Sequence, residues 1–247
     1  MMNAELRQTP FHRILLKVSG ESLGGGRNGI DSGTLKGMVE EIAEAARRGI
    51  QIAIVCGGGN IYRGIQADQT IDRTAADAMG MLATMINGIA LREFFNAGGI
   101  PAEAMGAYPI EGILPAFSAQ QARRFLDQGT VLILCGGTGL PYFSTDTAAA
   151  MRALQIQADV LIKATKVDGV YDRDPVTYSD ATRFERLSYN QVLSMDLKVM
   201  DAASIALCRD NGLPVLVFNL TRPGNLEKLL SGEPVGTLIT QKGDNHD

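Results

Sequence analysis

The sequence is poor in histidine and cysteine, the side chains from which many catalytic and metal sites are built. Its two histidines, His12 and His246, lie near the ends of the 247-residue chain. A serine–histidine–aspartate site or a histidine-rich metal cage therefore has almost nothing to be built from. The three cysteines, Cys56, Cys135 and Cys208, form no C-x-x-C pair, which argues against a disulfide framework or a zinc knuckle. This usage is typical of a protein of the reducing cytoplasm.

Long apolar runs and a surplus of basic residues are also missing. No continuous run approaches the roughly 18 residues of a membrane span, and residues 1–17 hold no apolar stretch of signal-peptide length. Lysine and arginine number 23 against 27 aspartates and glutamates, a formal net charge of −4. The composition, 45% hydrophobic and 20% charged, excludes a disordered chain. We therefore expect a cytoplasmic protein that binds neither nucleic acid nor a membrane.

Short runs rich in isoleucine, valine and leucine recur along the chain, with amphipathic segments between them. The runs predict strands at residues 14–18, 50–55, 131–134, 160–162 and 215–218, and an edge strand at 100–105. Helices are predicted at residues 34–48, 75–96, 119–127, 145–154, 200–211 and 225–230. Continuous rather than alternating hydrophobicity is typical of strands that helices cover on both faces. We predict an α/β fold, a three-layer αβα sandwich with a mainly parallel central sheet.

Two segments stand out from this rhythm. Residues 169–187 are polar and contain Pro175, so we expect an excursion or hairpin that leaves the main sheet. The predicted helix 75–96 is apolar on more than one face. It is either a central core helix or a helix with one face covered by a second subunit. Residues 1–247 are otherwise predicted to form a single domain with an ordered core at about 13–240.

Glycine is abundant, and its clusters directly follow predicted strands. The 28 glycines are about 11% of the chain against a typical ~7%. The clusters occur in the stretches ILLKVSGES, IAIVCGGGN, LILCGGTG and LIKATKVDG. The carboxyl ends of parallel strands share one edge of a sheet, where backbone N–H groups in glycine turns can approach an anion closely. Each cluster alone could be a tight turn, but four at one edge predict a phosphate-rich ligand.

Two lysines occur at the ends of predicted buried strands. Lys17 interrupts the apolar run 14–18, and Lys163 ends the run 160–162. Burying an ammonium costs several kcal/mol unless an anion answers it. Either the lysines pair with a structural carboxylate or reach the sheet edge, or they hold the charge that develops in phosphoryl transfer, which needs no histidine. Neither G-x-x-x-x-G-K-[ST] nor a G-x-G-x-x-G after a strand occurs, so the usual nucleotide-binding fingerprints are absent and a phosphotransferase here would use a non-P-loop site.

Five motifs carry a family resemblance. They are KVSGE at 17–21, GGGNIYRG at 57–64, GTGLPYFSTD at 137–146, KATKVDGVY at 163–171 and KVMD at 198–201. In order and spacing the chain resembles the bacterial uridylate (UMP) kinases of the amino acid kinase family. The resemblance implies a three-layer αβα fold, a homohexamer built from dimers, and Mg²⁺-dependent transfer of the ATP γ-phosphate to UMP, giving UDP. It also implies activation by GTP and inhibition by UTP.

The resemblance assigns one set of residues to ATP. These are Lys17, Val18, Ser19, Gly20, Gly59, Arg63, Thr165, Tyr171 and Asp174. Lys17 would stabilise charge on the transferring group, while Ser19 and glycine N–H groups would cradle it. Arg63 could grip a phosphate in a bidentate way or form a surface salt bridge. Asp174, which precedes a proline, suits a turn equally well.

A second set is assigned to UMP. These residues are Gly58, Asp77, Thr138, Gly139, Leu140, Pro141, Tyr142, Phe143, Ser144 and Thr145. Asp77 suits the ribose hydroxyls, or is a charge near a helix N-terminus. The ring of Tyr142 or Phe143 could read a pyrimidine by stacking. Leu140 stands where asparagine is expected, and Tyr142 and Ser144 replace the commoner phenylalanine and threonine. Without the resemblance, the loop could simply lead to a helix N-cap at Ser144.

The resemblance makes Lys17, Asp146, Lys163 and Asp201 the catalytic set. Asp146 and Asp201 would orient the lysines, or Mg²⁺ and its waters, although a helix-terminal charge and a capping residue are the alternatives. No metal ligand is assigned. Two other functions stay open: a family member that phosphorylates a carboxylate or carbamate, such as an N-acetylglutamate-type kinase, and a non-catalytic nucleotide-binding protein similar to the metal-oxyanion storage proteins.

Overall fold

A single sheet runs through the part of the chain that the computed structural model describes, residues 11–62 and 70–243. Its eight strands are β1 (Arg13–Val18), β2 (Gln51–Cys56), β3 (Ala102–Gly106), β4 (Val131–Cys135), β5 (Val160–Thr165), β6 (Arg186–Ser188), β7 (Val215–Asn219) and β8 (Thr237–Thr240). Their spatial order is β3-β4-β2-β1-β5-β7-β8-β6. Only the β7–β8 pair is antiparallel among these eight, so the prediction of a mainly parallel sheet is confirmed.

Helices cover both faces of this sheet. They are α1 (Ser32–Arg47), α2 (Arg73–Ala97), α3 (Ala119–Asp127), α4 (Thr145–Gln155), α5 (Tyr189–Ser194), α6 (Ala202–Asn211) and α7 (Asn225–Leu230). Helices α1, α2 and α7 contribute to one hydrophobic core and α3 to α6 to the other. On β1, Leu16 faces the first core and Leu15 the second. Because alternate strand residues enter different cores, the strands have the continuous hydrophobicity that predicted a three-layer sandwich.

The predicted elements match the observed ones closely, but three short elements were missed. The edge position predicted for residues 100–105 is confirmed by β3, which stands at one end of the strand order and pairs with β4. The missed elements β6, β8 and α5 contain three, four and six residues. Such lengths are too short to show a hydrophobic period. The segment predicted to leave the sheet has an isolated antiparallel bridge between Tyr171 and Arg183 before the chain enters β6.

Helix α2 is long and apolar enough to cross a membrane by length and composition alone. It packs against β3, β4 and α1, as a core helix of a sandwich does. Its inner face buries Met85, Leu91 and Phe95. A face turned away from the sheet leaves Leu82 and Ile86 about half exposed, at 53% and 51%. The structure agrees with a core helix on the inner face. The exposed apolar face is the feature expected if a second subunit covers α2.

Truncation of a core strand residue should destabilise the fold strongly. Leu132 on β4 is fully buried, so Leu132→Ala is expected to lower the free energy of unfolding by about 3 kcal/mol through lost burial and a cavity. Urea denaturation followed by circular dichroism measures this. Val176→Ala is the control, because Val176 is 85% exposed and should change stability by less than about 0.5 kcal/mol. Equal losses in the two variants would contradict the assignment of the core.

Candidate active site

Two lysines and one aspartate form an ion cluster at the carboxyl ends of β1 and β5. Lys17 and Lys163 are direct partners across these neighbouring parallel strands. Asp146, in the first turn of α4, reaches both: its Oδ1 lies 2.8 Å from Lys17 Nζ and its Oδ2 lies 2.9 Å from Lys163 Nζ. Lys163 also donates a hydrogen bond to the carbonyl of Val199. Two ammonium groups facing one carboxylate leave a net positive charge, which suits an anionic ligand.

Burial and charge act against each other in this cluster. The side chains of Lys17, Asp146 and Lys163 are 13%, 15% and 17% exposed. Burial raises the pKa of Asp146, but the nearby ammonium groups of Lys17 and Lys163 outweigh it, so the pKa lies below its usual value. Burial lowers the pKa of Lys163, opposed by the attraction of Asp146. Asp146 is therefore ionised at neutral pH and holds the two ammonium groups together.

Asp201 fixes the helix that carries Asp146. Ser144 is the N-cap of α4, and its Oγ accepts from the backbone N–H groups of Asp146 and Thr147 at 3.0 and 3.1 Å. The same Ser144 hydroxyl donates to Asp201, and Thr147 Oγ1 donates to Asp201 Oδ1 at 2.9 Å. Asp201 is itself the N-cap of α6, where it accepts from the N–H of Ser204. Asp201 is therefore a capping residue, as one of the two interpretations of the sequence expected. Through its hydrogen bond from Ser144, Asp201 also anchors the start of α4.

The loops that follow β1 and β2 lie directly against each other. A Cβ atom at Gly20 would stand 2.6 Å from the backbone nitrogen of Gly59. The N–H of Gly57 donates to the carbonyl of Val18 at 3.0 Å. Ser19 caps the 3₁₀ turn Gly20–Ser22 with its hydroxyl. Only glycine fits at position 20, so these turns form one surface of backbone groups next to Lys17.

The β2–α2 cavity, of about 350 Å³, opens between the β2 loop, α2 and the loop before α4. Eight of the residues predicted for UMP line it: Gly58, Asp77, Thr138, Leu140, Tyr142, Phe143, Ser144 and Thr145. Gly59, predicted for ATP, lines it as well. Gly139 and Pro141 belong to the same loop without lining the cavity. One continuous cavity thus brings together residues that are far apart in sequence.

Asp77 organises the wall of the β2–α2 cavity. It accepts the backbone N–H of Tyr142 at 2.8 Å and the Nε of Arg73 at 2.9 Å. The guanidinium of Arg73 lies 5.5 Å from the centroid of the Tyr142 ring. Tyr142 has φ of 69°, an unusual left-handed conformation for a non-glycine residue, and its side chain is largely exposed. Tyr142 is therefore held at the mouth of the cavity twice, through its backbone N–H by Asp77 and through the face of its ring by Arg73.

The β5 cavity, of about 460 Å³, lies on the other side of the ion cluster. Lys163, Thr165, Tyr171 and Asp174 line it, together with apolar residues such as Val167, Val170, Pro175, Met195 and Leu197. Asp174 accepts from the N–H of Val176 at 2.9 Å and from the Thr177 hydroxyl at 2.7 Å. The Thr177 hydroxyl, followed by the N–H of Val176, lowers the pKa of Asp174. Asp174 therefore forms the turn that shapes this cavity.

The ion cluster stands between the two cavities. Lys163 lines the β5 cavity, and Ser144 and Thr145, which directly precede Asp146, line the β2–α2 cavity. Two molecules bound in these cavities would meet beside Lys17 and Lys163. This is the arrangement that transfer of a charged group between two bound molecules requires. Arg63, the remaining predicted residue, lies outside the described residues.

Several lining residues were missed from the sequence. Arg73 precedes Asp77 by four residues on α2, a spacing that favours an ion pair and could have identified it. Thr84 lines the same cavity and accepts from the N–H of Gly136 at 2.7 Å. Nothing in the local sequence distinguishes Thr84, because its partner lies 52 residues away. The carbonyl of Val199 likewise reaches Lys163 only through the fold.

The two aspartates do not fit the role of direct metal ligands. Both oxygens of Asp146 face ammonium groups, and those of Asp201 accept from hydroxyls and a helix N–H. Within residues 11–62 and 70–243, no three His, Cys, Asp or Glu side chains cluster as a metal site would need. A divalent cation at this site would depend on oxygen ligands from a bound molecule or from water.

The Lys17–Asp146–Lys163 cluster at the strand ends of this αβα sandwich suits an enzyme that transfers phosphoryl groups by positioning and electrostatics. The chain matches the amino acid kinase family over residues 12–219 and belongs to that family. Among solved structures it is similar to a UMP kinase from Bacillus anthracis, with 36% identity, a TM-score of 0.92, and coverage of 94% of this chain and 97% of the other. The predicted family resemblance is confirmed.

Two further structures show how far the similarity extends. A UMP kinase from Ureaplasma parvum is 35% identical, with a TM-score of 0.86 and coverage of 93% of this chain and 98% of that one. A uridylate kinase from Archaeoglobus fulgidus is 26% identical, with a TM-score of 0.72 and coverage of 92% and 99%. The similarity therefore spans nearly the whole length of each chain.

Removing the central carboxylate should change how stability depends on pH. The pKa of Asp146 is lower in the folded protein than its ordinary value of 3.8. Its contribution is therefore present above pH 3.8 and is lost as the pH falls through the folded-state pKa. We expect Asp146→Asn to unfold about 3 kcal/mol more easily at pH 7. This difference should shrink in urea titrations carried down to about pH 3.

Asp127→Asn is the matched control for this titration. Asp127, like Asp146, forms an ion pair: it lies 2.7 Å from Arg13. The Asp127 side chain is 60% exposed, whereas Asp146 is largely buried. Its removal should cost less than about 1 kcal/mol. A wild-type protein and Asp146→Asn variant whose stabilities differ by the same amount at pH 7 and pH 3 would contradict the role given to Asp146.

Proposed function

We propose that the protein is an ATP-dependent UMP kinase, which transfers the ATP γ-phosphate to UMP and releases ADP and UDP. The observation that carries the proposal is the Lys17–Asp146–Lys163 cluster between two cavities. The identity of 36% with a UMP kinase over nearly the full chain supports the choice of substrates. Such a reaction belongs to pyrimidine nucleotide biosynthesis.

In this proposal ATP occupies the β5 cavity and the turn after β1. Its adenosine lies among Thr165, Tyr171 and Asp174, where the apolar walls of the β5 cavity suit a base. Its phosphates lie along Val18–Gly20 and Gly59, with Arg63 as a further ligand. The close contact of Gly20 with Gly59 supports a shared surface of backbone donors for these phosphates.

UMP occupies the β2–α2 cavity. Gly58 and Asp77 contact its phosphate and ribose, and the loop of residues 138–145 encloses it. The exposed rings of Tyr142 and Phe143 offer faces on which a pyrimidine can stack. Asp77 retains acceptor capacity for ribose hydroxyls beyond its bonds to Tyr142 and Arg73.

Electrostatics and positioning carry the chemical step in this proposal. An oxygen of the UMP phosphate, ionised at neutral pH, attacks the γ-phosphorus of ATP, so no side chain has to remove a proton. Lys17 and Lys163 face the charge that spreads over the transferred group. Asp146 holds the two ammonium groups side by side and thereby offsets their repulsion.

Mg²⁺ would enter with ATP. The poor fit of Asp146 and Asp201 as direct ligands supports coordination chiefly through phosphate oxygens and water, as Mg²⁺ prefers in kinase sites. When bound, the cation would neutralise phosphate charge. No separate resident metal is proposed.

The proposal also covers the oligomeric state, the regulation and the cellular location of the protein. We infer a homohexamer built from dimers, in which the open apolar face of α2, with Met79, Leu82 and Ile86, contacts a second subunit. GTP activation and UTP inhibition are proposed from the family resemblance alone. A cytoplasmic location is proposed because all three cysteines are unpaired.

Removal of the Lys17 ammonium should abolish most of the activity without unfolding the protein. Lys17→Ala is expected to lower kcat by about a hundredfold to a thousandfold, as loss of one transition-state charge contact does. Coupled measurement of ADP release with ATP and UMP gives kcat. Lys228→Ala, on the exposed side of α7, is the control and should behave like the wild type. A fully active, folded Lys17→Ala enzyme would remove Lys17 from the mechanism.

An acceptor panel tests the substrate. ADP release is measured with UMP, CMP, acetylglutamate and carbamate at equal concentrations, and UMP should give the highest kcat/KM. Higher turnover with acetylglutamate or carbamate would favour the carboxylate- or carbamate-phosphorylating alternative. Tight ATP binding with no ADP formed in the presence of any of the four acceptors would favour a nucleotide-binding storage protein.

The α2 contact is tested by light scattering. The wild type should elute as an oligomer, and Ile86→Glu, which places a charge on the open α2 face, should give a smaller mass. Val176→Glu is the control, because Val176 is also exposed, at 85%, but does not belong to α2. A monomeric wild type at micromolar concentration would refute the proposed assembly.

A further inference from the structure

A pair of buried amides lies beneath the turn that follows β2. Asn60, in that turn, is 3% exposed, and Asn87, on α2, is fully buried. Each donates to the other: Asn60 Nδ2 lies 3.0 Å from Asn87 Oδ1, and Asn87 Nδ2 lies 2.7 Å from Asn60 Oδ1. Burying primary amides is costly unless every donor is satisfied, and apolar side chains of the same size could fill this space. The pair therefore needs an explanation beyond packing.

The remaining donor of each amide holds a backbone carbonyl. Asn87 Nδ2 donates to the carbonyl of Gly57 at 2.8 Å, and Asn60 Nδ2 donates to the carbonyl of Gly29 at 2.8 Å. The backbone of Asn60 also accepts from the N–H of Gly29 at 2.7 Å. All four side-chain N–H groups are used, so the network is complete. It joins α2, the β2 turn and the loop before α1.

The bond to Gly57 fixes the direction of the next N–H group. The Gly57 carbonyl and the Gly58 N–H belong to one planar trans peptide, and so they point in opposite directions. Because Asn87 draws the carbonyl toward α2, the Gly58 N–H points away from Asn87. Gly58 lines the β2–α2 cavity, and within the described residues its N–H has no protein acceptor. It is thus a backbone donor held ready for a ligand.

The Asn60 side chain determines which way the Asn87 amide faces. Asn60 Nδ2 donates to Asn87 Oδ1, which turns Asn87 Nδ2 toward Gly57. The reverse orientation would place two carbonyl oxygens against each other. A Cβ at Gly20 would also lie 2.6 Å from Asn60 Oδ1, so the turn after β1 rests directly on this amide. The pair therefore lies under both turns proposed to hold phosphates, without lining either cavity.

We propose that Asn60 and Asn87 are positioning residues for phosphoryl transfer, which aim the Gly58 N–H at the phosphate of the acceptor nucleotide. The identity of that acceptor rests on the proposed function. The positioning itself rests on the hydrogen bonds of the two amides. Asn87 acts directly on the Gly57–Gly58 peptide, and Asn60 acts through Asn87 and the loop at Gly29.

Hydrogen exchange tests the positioning without any substrate. In Asn87→Ala, backbone amides in residues 57–62 should exchange at least about tenfold faster than in the wild type, because the turn loses its anchor. Asn60→Ala should speed exchange in this turn and around Gly29 as well. Unchanged exchange in both variants overturns the proposal, whatever the enzyme's activity. If Asn87→Ala does not fold, Asn60→Ala, which leaves the Asn87–Gly57 bond possible, carries the same expectation.

Kinetics test the consequence for catalysis. With ATP and UMP, both variants should lose about tenfold to a hundredfold in kcat, while KM for ATP changes by less than about threefold. The double variant should be about as slow as the slower single one, because the two amides act as a unit. Independent, multiplicative losses, or a wild-type kcat in the variants, overturn the proposal.

Tyr189→Phe is the control for general destabilisation. The Tyr189 hydroxyl is buried and donates to the carbonyl of Leu213 in the opposite helix layer, so this variant also removes a buried hydrogen bond. It should lower the melting temperature without changing kcat or exchange at residues 57–62. A wild-type enzyme that does not phosphorylate UMP refutes the proposed function, while the exchange experiment still decides the positioning.

Discussion

The site depends on the repulsion between two ammonium groups and on the carboxylate of Asp146, which lies between them and opposes it. Lys17 and Lys163 start from adjacent positions on neighbouring strands, so their separation is set by the sheet. Without Asp146 they would be two like charges in a partly dry environment, where repulsion is strong. Asp146 can meet both only because Ser144 and Asp201 fix the first turn of α4. The whole start of that helix therefore serves the charge arrangement.

Much of the fold could be predicted from the sequence because its signals are local. Continuous apolar runs marked the inner strands, and the edge strand at 102–106 was found from its own weaker run. Strands β6 and β8 were missed, because each has at most four residues and gains stability only from its neighbours. Helix α5 was missed for the same reason: its six residues start at a capping box but show no period.

The site was predictable only in part, for a different physical reason. Lysines at the ends of buried strands predicted an anionic partner, since a buried charge needs one, and the carboxylate of Asp146 is such a partner. Which carboxylate would answer them depended on the position of α4, which no local pattern gives. For Asp201 the family resemblance implied a catalytic role and the residue type allowed a helix cap; its hydrogen bonds show that it caps α6 and contacts Ser144 and Thr147 at the start of α4. The roles of Thr84 and Asn87 likewise arise from contacts across α2.

Lys17 and Lys163 are paired in the register of β1 and β5, so the hydrogen bonding of the sheet determines that their two ammonium groups lie side by side. In a sheet, successive residues point to opposite faces, so inserting or deleting one residue in either strand would send its lysine into the other helix layer. A change in a loop alters the residues that contact the bound molecules and leaves the two lysines together. A one-residue change in the length of β1 or β5 would separate the two ammonium groups.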